Sequence, residues 1–478
     1  MSEKLQQVHV RINDAATGKP TPVRVRFTDE AGNYYPPMGR LRHITYKAGA
    51  EVGGNIRIEG DAWAYVEGAF EILLQPGRVR VQVAKGPEYR AIDEWMTAQA
   101  GRLSMRLTIE RMIDMRAEGW HSGDAAVHLL SPHAALLEAA GEDLAVLNLL
   151  ITEEKTDEVL TLTNICAFSG QEPALTLRQH MVAVNTHNQS DLGNLILLHA
   201  HRLVFPLSFW SETDSWILED WCDQCHRKKG LVIADDWLEC LSDDMQSELL
   251  AEIVRGKIDA VLGWTDELAV QPWYDLLNAG LRIPVAAGSL KKAVDEVVGT
   301  RRTYAYVGTE SESPSYRDWI EAVRAGRSFF TNGPLLLARF GEFLPGDVVS
   351  AERAKQGLDF NVAVRSAVPV EDVEIVFNGQ VIDRVKGEKV SSSFTLNEGT
   401  GGWIAARCTS PDGKLWAHTN PIYIEGDAWP QRAEARTRLS AKIERMLAWA
   451  RQPGNVADDR AREHLIQVHL EAKSLLRP

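Results

Sequence analysis

A hydrophobic rhythm that changes twice constrains this 478-residue chain more than any other feature. Residues 1–112 alternate apolar and polar positions at period two, as in Val8-His9-Val10-Arg11-Ile12 and Val23-Arg24-Val25-Arg26-Phe27. Side chains of a strand point alternately to opposite faces, so the pattern predicts short, half-buried strands. Residues 70–74 and 79–83, joined through Pro76-Gly77, read as a hairpin, and residues 103–109 as a final strand. The expected product is a small N-terminal β-sandwich.

From Trp120 the rhythm becomes strand–helix alternation, and residues 113–338 read as one α/β unit. Ser131 caps a helix that has Pro132 at its first position and Gly141 at its end. Residues 144–151 then form a nearly continuous apolar strand, as expected when both faces are covered. The unit recurs: helices stopped by Gly230, Gly256 and Gly280 are followed by the apolar runs 231–234, 258–262 and 283–287. Such repetition favours a closed or nearly closed (β/α) barrel, with a doubly wound open sheet as the alternative. Period two returns in residues 339–428, where Asn378-Gly379 is a strong hairpin signal, and predicts a second sandwich. In residues 429–478 the stripe Leu439, Ile443, Met446, Leu447 and Ala450, broken by Pro453-Gly454, predicts a helical hairpin. That tail suits packing on another domain or on a second subunit, so a homodimer is one expected assembly.

Composition removes several classes of function. At about 150 residues per domain the length suggests roughly three domains. Lys plus Arg number 52 against 66 Asp plus Glu, a net charge of −14 that disfavours nucleic acid as a partner. No stretch reaches the ~20 apolar residues of a membrane span, and the N-terminus lacks a basic segment followed by an apolar one. Five scattered cysteines do not form a disulfide framework, so a cytoplasmic setting is expected. Cys222 and Cys225 share helical spacing with Ile217, Leu218 and Trp221 and read as core residues.

Chemistry in a βα unit gathers at the carboxyl ends of the strands. Asp235 and Asp236 follow the run 231–234, and Ser289 follows 283–287. Asn148, His128, Glu172 and His180 fall near other strand ends, and Asn185, His187 and Asn188 close the segment that His180 opens. Imidazole and carboxylate together suit zinc, manganese or iron. Each residue also has an ordinary reading: a helix cap for Asp235 or Asp236, a core histidine for His128, a solvated loop carboxylate for Glu172. Strand alternation sends His180, His187, His199 and His201 to different faces. Nucleophile-elbow, Walker and dinucleotide motifs are missing from the sequence.

The run Gly119-Trp120-His121-Ser122-Gly123-Asp124-Ala125-Ala126-Val127-His128 resembles the W-x-S-G-D-x-H-x-H opening of CehA/McbA-type metallohydrolases, members of the PHP (polymerase and histidinol phosphatase) superfamily. Phe168-Ser169-Gly170-Gln171-Glu172 is similar to their G-x-E segment, and His180 to the histidine after it. Residues 273–289 and 325–334 resemble two further blocks. The resemblance implies a distorted (β/α)7 barrel, here flanked by two small sandwiches and a helical tail. It further implies hydrolysis of a small-molecule ester, amide or carbamate, or phosphoester by metal-activated water.

The chain departs from that pattern at Ala126, Leu149-Leu150, Asp236 and Leu290. What survives implies a reduced site for one divalent zinc, manganese or iron ion, held by His128, Glu172, His180 and Asp236. In it Asp235 would be the general base and Asp124 would orient His128. The alternative is a metal-free, catalytically degenerate unit that binds a ligand or partner. A third reading is a metal-independent enzyme using Asp235, Asp236 and His128 as acid and base.

Overall fold

The structure is a computed structural model and describes residues 5–45, 53–156, 159–240, 246–263, 270–310, 314–386, 389–394, 400–426 and 429–477. At the N-terminus the strand Gln6–Asp14 lies between Ala69–Leu74 and Ser104–Ile109 in a three-stranded sheet. A five-stranded sheet that includes Val23–Thr28, Gly77–Ala84 and Ile92–Ala98 packs against it. The alternating valines and isoleucines interdigitate between the two: Val8, Val10 and Ile12 meet Val25, Phe27, Val79 and Val81. The expected hairpin across Pro76-Gly77 does not form. Ala69–Leu74 pairs with Gln6–Asp14 in one sheet, whereas Gly77–Ala84 pairs with Val23–Thr28 and Ile92–Ala98 in the other. Period two fixes the face a residue presents but not the neighbour its strand takes.

The rest of the chain is organised by one large curled sheet of 17 strands, closed on itself. Trp120–Val127, Val146–Ile151 and His180–Ser190 run parallel. Asn194–Leu198 returns antiparallel, and Leu231–Asp235, Ala260–Leu262 and Val285–Ala286 resume the first direction. Residues 287–291 then reach the first strand: the Ala125 amide donates to the Ala287 carbonyl at 3.1 Å, and the His128 amide to that of Lys291 at 2.9 Å.

This architecture replaces the expected (β/α)7, TIM-like barrel. Among the described residues strand accounts for 37% and helix for 21%, so the fold is mostly β. The βα alternation fails at definite places. No helix separates His180–Ser190 from Asn194–Leu198, which form an antiparallel pair. Arg302–Tyr306 is antiparallel to both Trp120–Val127 and Ser328–Thr331. Nor does the sheet end there: Ser328–Thr331 pairs with Trp416–Thr419, which carries it into Gly402–Thr409 and Val373–Phe377. Those strands, read in the sequence as part of a second sandwich, extend the main sheet. Asn378 and Gly379 both take positive φ in the turn joining Val373–Phe377 to Gln380–Val385.

The interior of the curl is filled by Ala183, Ile196, Ile233, Ala260 and Leu262. Helix Tyr316–Arg324 plugs the amino end of its parallel strands with Tyr316, Trp319 and Ile320. Gly123 permits that plug, since a Cβ there would stand 2.4 Å from the Trp319 ring. The tail helices Arg432–Ala450 and Asp459–Leu475 bury Leu439, Ile443, Leu465 and Val468 in the core that holds Trp221 and Trp273 of the same chain. Cys222 and Cys225 lie in that core, where burial pushes both thiols up. Among the described residues no helix is long and apolar enough to cross a membrane.

Closure of the sheet centres on Asp124, which is fully buried. Its Oδ1 accepts from the Ala126 and Ser289 amides at 3.1 and 2.9 Å, and its Oδ2 from Ser289 Oγ and the Gly299 amide at 2.6 and 2.7 Å. Asp124→Asn sets an amide NH2 against these donors and is expected to cost at least about 2 kcal/mol. Gly123→Ala should cost about 1–3 kcal/mol by forcing Trp319 to move. Urea unfolding, read as a lowered midpoint with unchanged slope, checks both.

Candidate acid–base site

Three titratable side chains converge at the carboxyl end of the parallel strands. His187 lies near the end of His180–Ser190 and Asp235 ends Leu231–Asp235, while His128 directly follows Trp120–Val127. All three are buried, and alternation puts His187 on the inward face that also carries Ala183. His187 Nε2 lies 3.1 Å from Asp235 Oδ2, within reach of a charge contact although not aligned as a hydrogen bond. The His128 and His187 rings stand 5.3 Å apart, centroid to centroid. His128 Nε2 and His187 Nδ1 are buried without a hydrogen-bond partner. Unpaired buried polar atoms are costly and mark places where a ligand can supply the missing partner.

The electrostatics separate the roles. Burial, helped by His187 and Lys292, pushes the His128 pKa well below the usual 6.5, so its ring is neutral. Asp235 is held below the usual carboxylate range: burial opposes this, but His187 and Lys292 outweigh it. Deeper in the curl a polar ladder is satisfied by its own members. Tyr316 donates to Asn148 Oδ1 at 2.6 Å and accepts from Asn185 Nδ2 at 3.0 Å, and Asn148 Nδ2 donates to the Asp124 carbonyl.

The residues singled out in the sequence are not assembled together. His180 starts the strand that His187 nearly ends, so at about 3.3 Å per residue the two lie roughly 23 Å apart, on opposite faces. His180 Nδ1 is 2.7 Å from the Leu144 carbonyl. Glu172 is exposed, in a loop beside a cavity of about 700 Å³ that also includes His199, His226 and Arg317. Asp236 is exposed at φ +53° and accepts from Asn194 Nδ2 at 2.8 Å. Asp124 has both oxygens committed to closure, with no donor from His128.

His128, Glu172, His180 and Asp236 therefore do not fit the single divalent ion that the resemblance implies. Among the described residues no three His, Cys, Asp or Glu groups converge in an arrangement that could hold a metal. The hydrolase and metal-binding expectations lose their structural basis with that ligand set. His187 is the partner that reading from motifs passed over. Its signal was parity: an odd separation from His180 and an even one from Ala183 put it on the inward face.

No protein-family model matches the chain, no curated protein matches it, and no solved structure matches it. The likeness to CehA/McbA-type proteins thus rests on the sequence motifs quoted above.

The neutral buried imidazoles set a pH dependence. His180 and His418 are pushed down to about 3, and His121 to about 4, in each case chiefly by burial. Below the ordinary histidine value of 6.5 the unfolded chain binds protons that the folded chain does not. The stability these rings contribute is complete above pH 6.5 and falls as pH drops towards their folded values. Urea midpoints should decline steadily from pH 6.5 to 4. In His128→Asn the proton uptake on unfolding should shrink by about one.

Proposed function

We propose that the protein is a metal-independent enzyme in which His187 and Asp235 perform general acid–base chemistry on a small, polar molecule. The observation that carries this reading is the row Asp235–His187–His128, with unpartnered buried nitrogens on both rings. A carboxylate beside one ring nitrogen favours the tautomer with hydrogen there and leaves the other nitrogen basic. With Nε2 turned to Asp235, His187 Nδ1 is the atom that takes the substrate proton, and Asp235 stabilises the imidazolium that results. A small ring rotation on substrate binding completes the Asp235 contact, since catalytic hydrogen bonds are often loose before binding. Neutral His128 positions the substrate through Nε2, and the exposed Lys292 favours a substrate carrying negative charge.

The test follows a panel of hydroxy acids, esters, amides and phosphoesters by NMR, with the protein assayed before and after exhaustive chelation. Turnover should survive chelation. It should fall about 100-fold or more in His187→Gln, the usual scale of general-base loss. Turnover abolished by chelation, or unchanged in His187→Gln, refutes the proposal. Saturable binding without turnover would make this face a ligand-binding site instead.

A further inference from the structure

The opposite end of the same strands holds a chamber of about 510 Å³ that the acid–base row does not use. It lies where three parts of the chain meet: the N-terminal sandwich supplies Lys85 and Tyr89, the connecting segment Arg111 and Arg116, and the main sheet His121, Arg178 and His180. Its volume matches that of sites for small organic molecules, and junctions between domains are a common place for them. The lining is dominated by charged and hydrogen-bonding side chains, which excludes a purely apolar occupant.

The chemistry of that lining is specific. A carbonyl can only accept, so His180 Nδ1 carries its hydrogen towards Leu144. The ring is neutral, with its pKa near 3, which leaves Nε2 as a bare acceptor. Arg111 and Arg116 are largely spent on Asp143, at 2.8 and 3.1 Å, and Arg111 also on Glu88. Arg116 Nε remains a buried N–H with no acceptor. Arg178 has positive φ at the tip of the hairpin joining Leu175–Leu177 to His180–Ser190. Its guanidinium has no carboxylate partner among the described residues. The chamber therefore presents the Arg178 guanidinium, the orphaned Arg116 N–H and two neutral imidazoles, His121 and His180, with the carboxylates Asp14 and Asp114 in the same lining and the Lys85 amine spent on the Pro22 and Ala140 carbonyls.

We infer that this chamber binds a small polyhydroxylated acid, its acid group meeting Arg178 and Arg116 Nε and a hydroxyl donating to His180 Nε2. A guanidinium recognises carboxylate and phosphate alike, so a sugar acid and a sugar phosphate share the chemistry. A hydroxyl is the donor a neutral imidazole nitrogen can accept, which separates such a ligand from a simple anion. Because the walls come from both the sandwich and the main sheet, bound ligand should tie the two together.

Titration calorimetry on the full chain tests this with gluconate, glucose 6-phosphate, glucose and inorganic phosphate. At least one of the two anionic polyols should bind saturably, and whichever binds identifies the acid group. Glucose and inorganic phosphate should bind at least tenfold more weakly than that ligand. Arg178→Ala, at an exposed position, should weaken binding tenfold or more, as should His180→Gln. His187→Gln at the other end should leave binding unchanged, which keeps this result separate from the fate of the acid–base proposal. No saturable binding of either anionic polyol overturns the inference. So does binding that is unaltered in both Arg178→Ala and His180→Gln, or inorganic phosphate binding as tightly as the polyols.

Discussion

The structure depends on the Asp124 carboxylate more than on any other single group. A sheet closes only if its last strand finds its first, and here the backbone bonds between residues 287–291 and the first strand are joined by one buried side chain with four donors on three separate segments. Burial outweighs the donors and raises its pKa above the usual carboxylate value, although each donor favours the charged form. The donors are the reason an acidic side chain stands at a fully buried position. It supplies acceptors to amides at Ala126, Ser289 and Gly299 that would otherwise be left unpaired.

Closure gives the parallel strands two chemically distinct ends. Helix Tyr316–Arg324 blocks the amino end of the curl, and the Asn148–Tyr316–Asn185 ladder fills the space above it with satisfied hydrogen bonds. The carboxyl end keeps His128 and His187 with free ring nitrogens beside Asp235. One strand, His180–Ser190, serves both ends. His180 faces the junction with the N-terminal sandwich and His187 faces the interior, because seven residues separate them and strand side chains alternate.

The junction itself is held by charge out of water. Asp143 is fully buried and kept ionised by Arg116, Arg111 and Lys85. Glu88 pairs with Arg111 at 2.6 Å and accepts from the Tyr304 hydroxyl at 3.0 Å. Burial lowers the Lys85 pKa to about 8, and its amine donates to the Pro22 carbonyl at 2.8 Å. Removing one member of such a cluster strands the others without partners, so it fixes the sandwich on the main sheet more firmly than surface ion pairs could.

The sequence by itself determined the local features. Period two placed Val8, Val10 and Ile12 inward, and Ser131 with Pro132 started a helix. Asn378-Gly379 made a turn, the tail stripe made a packed helical face, and Cys222 and Cys225 were legible as core. These follow from backbone preferences and the burial of one face, which act over a few residues. Tertiary structure alone decided which strand lies beside which. It sent Ala69–Leu74 and Gly77–Ala84 into different sheets, ran the main sheet on through the Phe329–Thr419 pair, and set His187 beside Asp235 while leaving His180 and Glu172 elsewhere. Backbone hydrogen bonds between strands are nearly indifferent to side-chain identity, so partners far apart in the chain are selected by the closing of the whole sheet and not by any local pattern.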